Sequence, residues 1–165
     1  MKKILVGVLV IVAALGGTLI LAGCASMGAA SGTASMNAAD MAGVKDLAQR
    51  FVDSINRKDL DGTMACIWNS PEMIWVSFGT VIRGYDGFRG GMSQMFSSNE
   101  TVNIAVNDIA YVPVGDAVMA VGTASIEMQP KNGPSQRIVE RWTDVERKVN
   151  GRWVYVLDHT TLLPK

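Results

Sequence analysis

Histidine occurs once in this chain, at His159. Upstream of it acids recur at Glu140, Asp144 and Glu146, and the dipeptide Asn150-Gly151 lies between. Asn-Gly flanked by alternating runs is a strong hairpin signal, because both turn residues must adopt positive φ. A two-residue turn there sets Val149 against Arg152. Counting back in uniform register places Trp142 opposite His159, Glu140 opposite Thr161, Asp144 opposite Leu157 and Glu146 opposite Tyr155. One face of the hairpin is then aromatic and acidic, with the histidine among its members. The other carries Val139, Val145, Val154, Val156 and Leu162, with Arg141, Thr143, Asp158 and Thr160. We assign the aromatic face to a pocket and the aliphatic face to a dimer contact; a single bulge would swap them. In such a pocket His159 could act as a general base or grip a ligand, oriented by Asp144 or Glu140. As a purely structural residue it would stack on Trp142. One histidine with scattered carboxylates lacks metal-ligand spacing, so no metal and no cofactor is expected.

Trp68, Trp75, Phe78, Tyr85 and Trp142 could wall an apolar cavity, with the Trp and Tyr rings adding a polar tip. The same rings serve equally well as core. Arg83, just before Gly84, could pair with an anionic ligand or sit as a solvated strand end. Gly84-x-x-Gly87-x-x-Gly90 is not a dinucleotide fingerprint, since its spacing is wrong and no parallel βαβ unit surrounds it. Cys66 falls in an expected helix, Asp59–Trp68, with no neighbouring cation, and reads as a buried core thiol.

These residues need a scaffold. Val44, Leu47, Ala48, Phe51, Val52 and Ile55 recur at helical spacing and form one apolar stripe. Asp40 is the expected N-cap, and Asn56-Arg57-Lys58 closes the helix. Asp59 opens a second helix that Asn69-Ser70-Pro71 stops. Met73–Phe78 and Thr80–Arg83 read as a hairpin about Gly79. Phe88, Met92, Met95 and Phe96 mark one side of a third helix whose glycines make it dependent on packing. The apolar parity then switches between Val106 and Ile109, which predicts a β-bulge near Asn107-Asp108. Strands follow over Ala117–Met128, Arg137–Val149 and Arg152–Leu162.

The order α, α, ββ, α, ββββ joins particular wording in Asn56–Leu60, Gly84–Gly87 and above all Arg141–Thr161. These stretches resemble the SnoaL-like branch of the nuclear transport factor two-like superfamily. The resemblance implies an α+β fold. It would have three N-terminal-side helices and a strongly curved, mainly antiparallel six-stranded sheet forming a cone with a pocket at its open end. Members often dimerise through the sheet, so a homodimer is expected. They include isomerases, dehydratases, hydrolases, cyclases and non-catalytic domains, so the fold does not name a function. The family's ketosteroid isomerases carry an acid on an early strand and a tyrosine on the first helix. Here Met73–Phe78 holds no acid and Val44–Ile55 no tyrosine. The family's scytalone dehydratases use two histidines, and one is present.

The chain's composition is uneven. Of 165 residues, 48% are apolar and 18% charged, yet residues 1–39 hold only Lys2 and Lys3 as charges. Such a chain is too apolar to be disordered throughout. A basic start, an apolar run and small residues describe a secretory signal, although the run is also long enough for an anchor. Leu21-Ala22-Gly23-Cys24 resembles the lipobox of bacterial lipoproteins. That resemblance implies acylation of Cys24, cleavage before it, and, with Ala25 following, an outer-membrane address facing the periplasm. Cys66 then has no disulfide partner. Residues 25–39 read as a flexible tether and residues 40–165 as the domain. Removing Lys2 and Lys3 leaves 13 basic against 15 acidic side chains. That balance disfavours a nucleic-acid partner.

Three functional expectations follow. The first is a membrane-anchored domain that binds a small, partly apolar molecule or acts as an accessory domain. The second is an isomerase, cyclase or dehydratase using His159 with Asp144 or Glu140. The third is a structural dimer or a subunit of an envelope complex.

Overall fold

The computed structural model describes residues 36–164. The signal segment, the lipobox cysteine Cys24 and most of the expected tether lie outside those residues. Among the described residues no helix is long and apolar enough to cross a membrane.

Helix α1 spans Ala38–Asn56. Its cap is Asn37, whose side-chain oxygen accepts from the Asp40 N–H at 2.8 Å. The expected cap, Asp40, sits instead in the first turn. There its carboxylate favours the positive helix end and accepts from Lys148 Nζ at 2.8 Å. Val44, Leu47 and Ile55 bury the apolar stripe. Helix α2, Leu60–Met64, is capped by Asp59 as expected, through a bond from the Gly62 N–H at 2.9 Å. It ends before Cys66, short of the expected Trp68. The chain leaving it pairs with the last strand: Tyr155 N–H donates to Cys66 O and Trp68 N–H donates to Tyr155 O, each at 2.9 Å.

Strands β1 (Ile74–Ser77) and β2 (Thr80–Arg83) form the first hairpin. Phe78 and Gly79 both take positive φ at its turn. Helix α3, Gly84–Ser98, places Phe88, Met92 and Phe96 in the core. Four long strands follow: β3 (Asn99–Val114), β4 (Ala117–Pro130), β5 (Gln136–Val149) and β6 (Arg152–Leu162). The parity switch in β3 is a register shift between Val106 and Asp108.

The sheet runs in the order β2-β1-β6-β5-β4-β3. Here the expected mainly antiparallel cone is corrected. Strand β1 lies parallel to β6 while the other neighbours run antiparallel, so the sheet is mixed. It is open, with β2 and β3 as unjoined edges, and is not strongly curled. The parallel pair arises because β1 and β6 are not joined by a turn. The chain passes through β2, α3 and three strands before returning beside β1, and only a tight turn would force reversal. The core lies between the helices and one sheet face. Val44 and Leu47 of α1, Phe88 and Phe96 of α3, and Trp153 and Tyr155 of β6 belong to one buried cluster. Each such side chain contributes about 1.5–3 kcal/mol by leaving water.

Candidate functional site

The site begins with small residues on one strand. On β4 the inner face carries Ala120, Gly122 and Ala124. Across to β5 these pair with Asp144, Trp142 and Glu140; across to β3 they pair with Tyr111, Ile109 and Val106. Of these small residues, Ala124 borders a gap under α1, while the room above Gly122 is taken by the Trp142 ring. A Cβ at Gly122 would overlap the Asp108 carbonyl and the Trp142 ring. The gap is a cleft of about 60 Å³ between Ala48, Phe51 and Val52 of α1 and the inner sheet face.

Its walls are apolar and aromatic. Phe51 lies 5.7 Å from Trp75 and 5.1 Å from Tyr155, ring centre to ring centre, and Trp75 and Tyr155 meet edge to face at 6.3 Å. Trp142, Ile104 and Ile109 complete much of the lining. The polar groups are acids: Glu140, Asp144 and Asp158 line the cleft, together with Thr160. Glu146 is buried on the same strand at 1% exposure.

Among the described residues no cation pairs with these four acids. The ion pairs among the described residues engage Asp46, Asp61, Glu127, Asp116 and Asp40 instead. Asp144 and Asp158 are direct cross-strand partners. Each leaves its Oδ1 buried without a hydrogen-bond partner, as does Glu146 its Oε2. Burial disfavours the charged form of a carboxyl. Asp144 is held well above the usual carboxylate range by burial, then by the hydrogen bond and charge of Asp158; the Trp142 indole acts in the opposite sense. Burial lifts Asp158 to about 7 although the hydrogen bond from Asp144 lowers it. Glu140 is pushed up to about 7 by burial and then by the charge of Asp144. Glu146 is pushed up to about 8 by the same two causes in the same order. Burial thus favours the protonated form of these carboxyls around neutral pH. Such groups can give or take a proton, or ionise toward an incoming cation.

The family comparison agrees with the element order. The family model of the SnoaL-like domain matches residues 48–156. The chain belongs to the SnoaL-like family. Solved structures share its fold at low identity. A nuclear transport factor 2-like superfamily protein from Salmonella enterica is 20% identical, with a TM-score of 0.69 over 74% of this chain and 89% of its own. A "putative dehydratase from the NTF2-like family" of Streptomyces avermitilis is 16% identical, with a TM-score of 0.69 over 78% of this chain and 100% of its own. A "putative scytalone dehydratase" of Novosphingobium aromaticivorans is 9% identical, with a TM-score of 0.70 over 76% and 85%. No protein of curated function matches the sequence significantly.

The SnoaL-like fold distributes the sequence-predicted residues unevenly. Glu140, Asp144, Trp75 and Trp142 meet in the cleft. Trp68 is half-buried against the core. Tyr85, also packed against the core, lines with Arg83 a separate surface groove beside Asn69–Pro71. His159 is exposed and pairs with Thr143, not Trp142. The uniform register is thus corrected. From the turn to Glu146↔Tyr155 the pairing is as expected, but β6 then carries a bulge, and Val145 meets Leu157. Val156 is the extra residue. Beyond it every β6 side chain changes face, so Asp158 and Thr160 turn inward and His159 turns out. The apolar run Trp153–Leu157, which breaks alternation, is the sequence signal for that bulge. Tyr155, on the face assigned to the pocket, does line the cleft, whereas Phe51 reads as helix stripe and only packing makes it a cleft wall. Cys66 is fully buried, as expected. A cation does stand beside it, with Arg50 Nη1 at 3.6 Å from Sγ, yet burial outweighs that charge and pushes the thiol up.

Proposed function

We propose that this SnoaL-like domain binds a small, partly apolar molecule in the cleft between α1 and the inner sheet face. One observation carries the reading. Asp144 and Asp158, at 6% and 2% exposure, each hold an unpartnered carboxyl oxygen beside a largely apolar, aromatic-walled space. An unmade hydrogen bond at a buried group costs about 1–3 kcal/mol, and a ligand that supplies the missing partner recovers it. Acylation at Cys24 would hold the domain at the bacterial envelope, where small amphiphiles concentrate; the lipobox resemblance supports that part. Native mass spectrometry and thermal-shift screening of the whole chain against amines, alcohols, ketones, sterols and carboxylic acids test the binding. A melting temperature unmoved by every class would sink it.

A second reading, a proton-transfer enzyme of the isomerase or dehydratase type, is favoured by two buried carboxyls, Asp144 and Asp158, standing opposite each other on neighbouring strands. It places the acid–base pair on those two residues, since His159 lies on the opposite face. Its test is exchange of α-protons of small ketones in deuterated water, followed by proton NMR, with Asp144→Asn abolishing it. The outer face exposes Val112, Val114 and Val139, and we place the homodimer contact there. Light scattering that found only monomer would remove that contact.

A further inference from the structure

We propose that the cleft takes a small organic cation, an ammonium head seated between Asp144 and Asp158 with its apolar chain leaving past α1. This deepens the binding reading and rests on it. Three independent features converge on that chemistry. Both aspartates line the cleft, each has a buried oxygen without a partner, and among the described residues no lysine or arginine pairs with them. An ammonium has three donors and no acceptor, so it can satisfy both oxygens and still donate once more. Glu140 and Thr160 line the same space. The Thr160 hydroxyl already donates to Val76 O, at 3.2 Å, and so faces a ligand as an acceptor.

The walls supply the second feature. Trp75, Trp142, Phe51 and Tyr155 present rings to the cleft, and a cation over an aromatic face gains about 0.5–2 kcal/mol as it is desolvated. An inorganic cation fits less well: among the described residues no three His, Cys, Asp or Glu side chains converge as a metal cage. The third feature is the exit. Ala48, Val52, Ile104, Val106 and Ile109 border both the cleft and a shallower groove of about 380 Å³. The cleft alone suits a head group, and the groove gives a hydrocarbon tail somewhere to lie. Lys45 stands on that groove and would repel a second positive head, which favours monoamines over diamines.

The pH dependence has a definite sign. The titratable groups facing the aspartate pair are Glu140 and Glu146 from β5, Tyr155 from β6 and Tyr111 from β3, with Lys45 of α1 at the groove. An ammonium binds best when the carboxyls have lost their protons, so affinity rises from pH 5.5 to pH 8 and binding releases protons. A neutral hydrogen-bond acceptor held by protonated carboxyls would show the reverse.

The experiment uses the whole chain in detergent and three probes of one shape: cyclohexylmethylamine, cyclohexylmethanol and cyclohexanecarboxylate. Calorimetry in two buffers of different ionisation enthalpy reads affinity and proton release. The amine is expected to bind at least tenfold tighter than the alcohol, to tighten at least threefold from pH 5.5 to pH 8, and to release protons. The carboxylate is expected not to bind. Asp144→Asn and, separately, Asp158→Asn should each weaken the amine at least tenfold and weaken the alcohol by a much smaller factor, with unliganded melting curves showing that each variant folds. Equal binding of amine and alcohol, or amine affinity that falls with pH, overturns the cation and leaves the cleft as a binding site. Failure of all three probes to bind overturns both the cation and the cleft as their site.

Discussion

The two faces of the β5–β6 hairpin hold similar supplies of polar side chains and treat them in opposite ways. The outer face shows Arg141, Arg147, His159 and Thr161 to solvent. There Arg147 finds Asp116 at 2.7 Å in an exposed pair, which is worth little. The inner face buries Glu140, Asp144, Glu146 and Asp158, and among the described residues no cation pairs with them. Polar side chains are solvated on one side and, on the other, pushed toward their neutral form, because burial penalises the charged form and water does not. The allocation between faces turns on one residue. Val156 is unpaired, and beyond it the strand presents Asp158 rather than His159 to the cleft.

The sharpest way to break this comparison is to delete Val156. The deletion would restore uniform register, turn His159 inward and expel Asp158 and Thr160. It would also uncouple β6 from β1, where Trp75 neighbours Asp158 and Val76 neighbours His159. We expect a fall in melting temperature of more than about 10 °C, as befits a loss of several kcal/mol, or failure to fold, read by circular dichroism. A native-like melting curve would mean that the bulge does not hold the inner face in place.

The next effect sharpens the electrostatic side. Glu146 rises from its usual value of 4.5 to about 8 in the folded protein. A carboxyl whose folded pKa is raised binds its proton more tightly in the native state, so its contribution is intact below about pH 4.5. That contribution is lost as pH climbs toward about 8. Stability should therefore fall across this window. Glu146→Gln should flatten the fall, gaining about 2–4 kcal/mol at pH 8.5 and almost nothing at pH 4. Urea titrations at the two pH values measure it, and an equal gain at both would separate the effect from ionisation.

Gly122→Ala tests the space itself. Its methyl group would enter the room that Trp142 and the Asp108 carbonyl occupy. Overpacking of this kind costs about 1–3 kcal/mol, which a shift in the urea midpoint would show. The smallest effect belongs to the outer face. His159→Ala should change stability by less than about 0.5 kcal/mol, as for other exposed sites, and should leave ligand-induced melting shifts as they were. A large loss would show that the two faces are coupled.

Much of this architecture was legible residue by residue. The α1 stripe, the Asp59 cap, the bulge after Val106 and the Asn150-Gly151 turn are local matters. Each depends on backbone preferences or on spacing within a few residues. The wording of Arg141–Thr161 carried the family. Half of the candidate site was also readable, since Glu140, Asp144 and Trp142 lie on the turn-proximal logic of β5. Asp158 was not, because its face depends on a bulge that only cross-strand pairing reveals. Phe51 is an ordinary stripe residue in sequence, and becomes a cleft wall only through its packing beside Trp75 and Tyr155.

By itself, then, the sequence determined the elements, their order and the supply of acids and rings, since propensity, capping and turn chemistry act locally. The tertiary structure alone decided that β1 would run parallel to β6, that the sheet would stay open, and that four carboxyls would be buried with no ion-pair partner among the described residues. Those outcomes depend on contacts between residues far apart in the chain. Register and burial are properties of the pairing, and no single strand contains them.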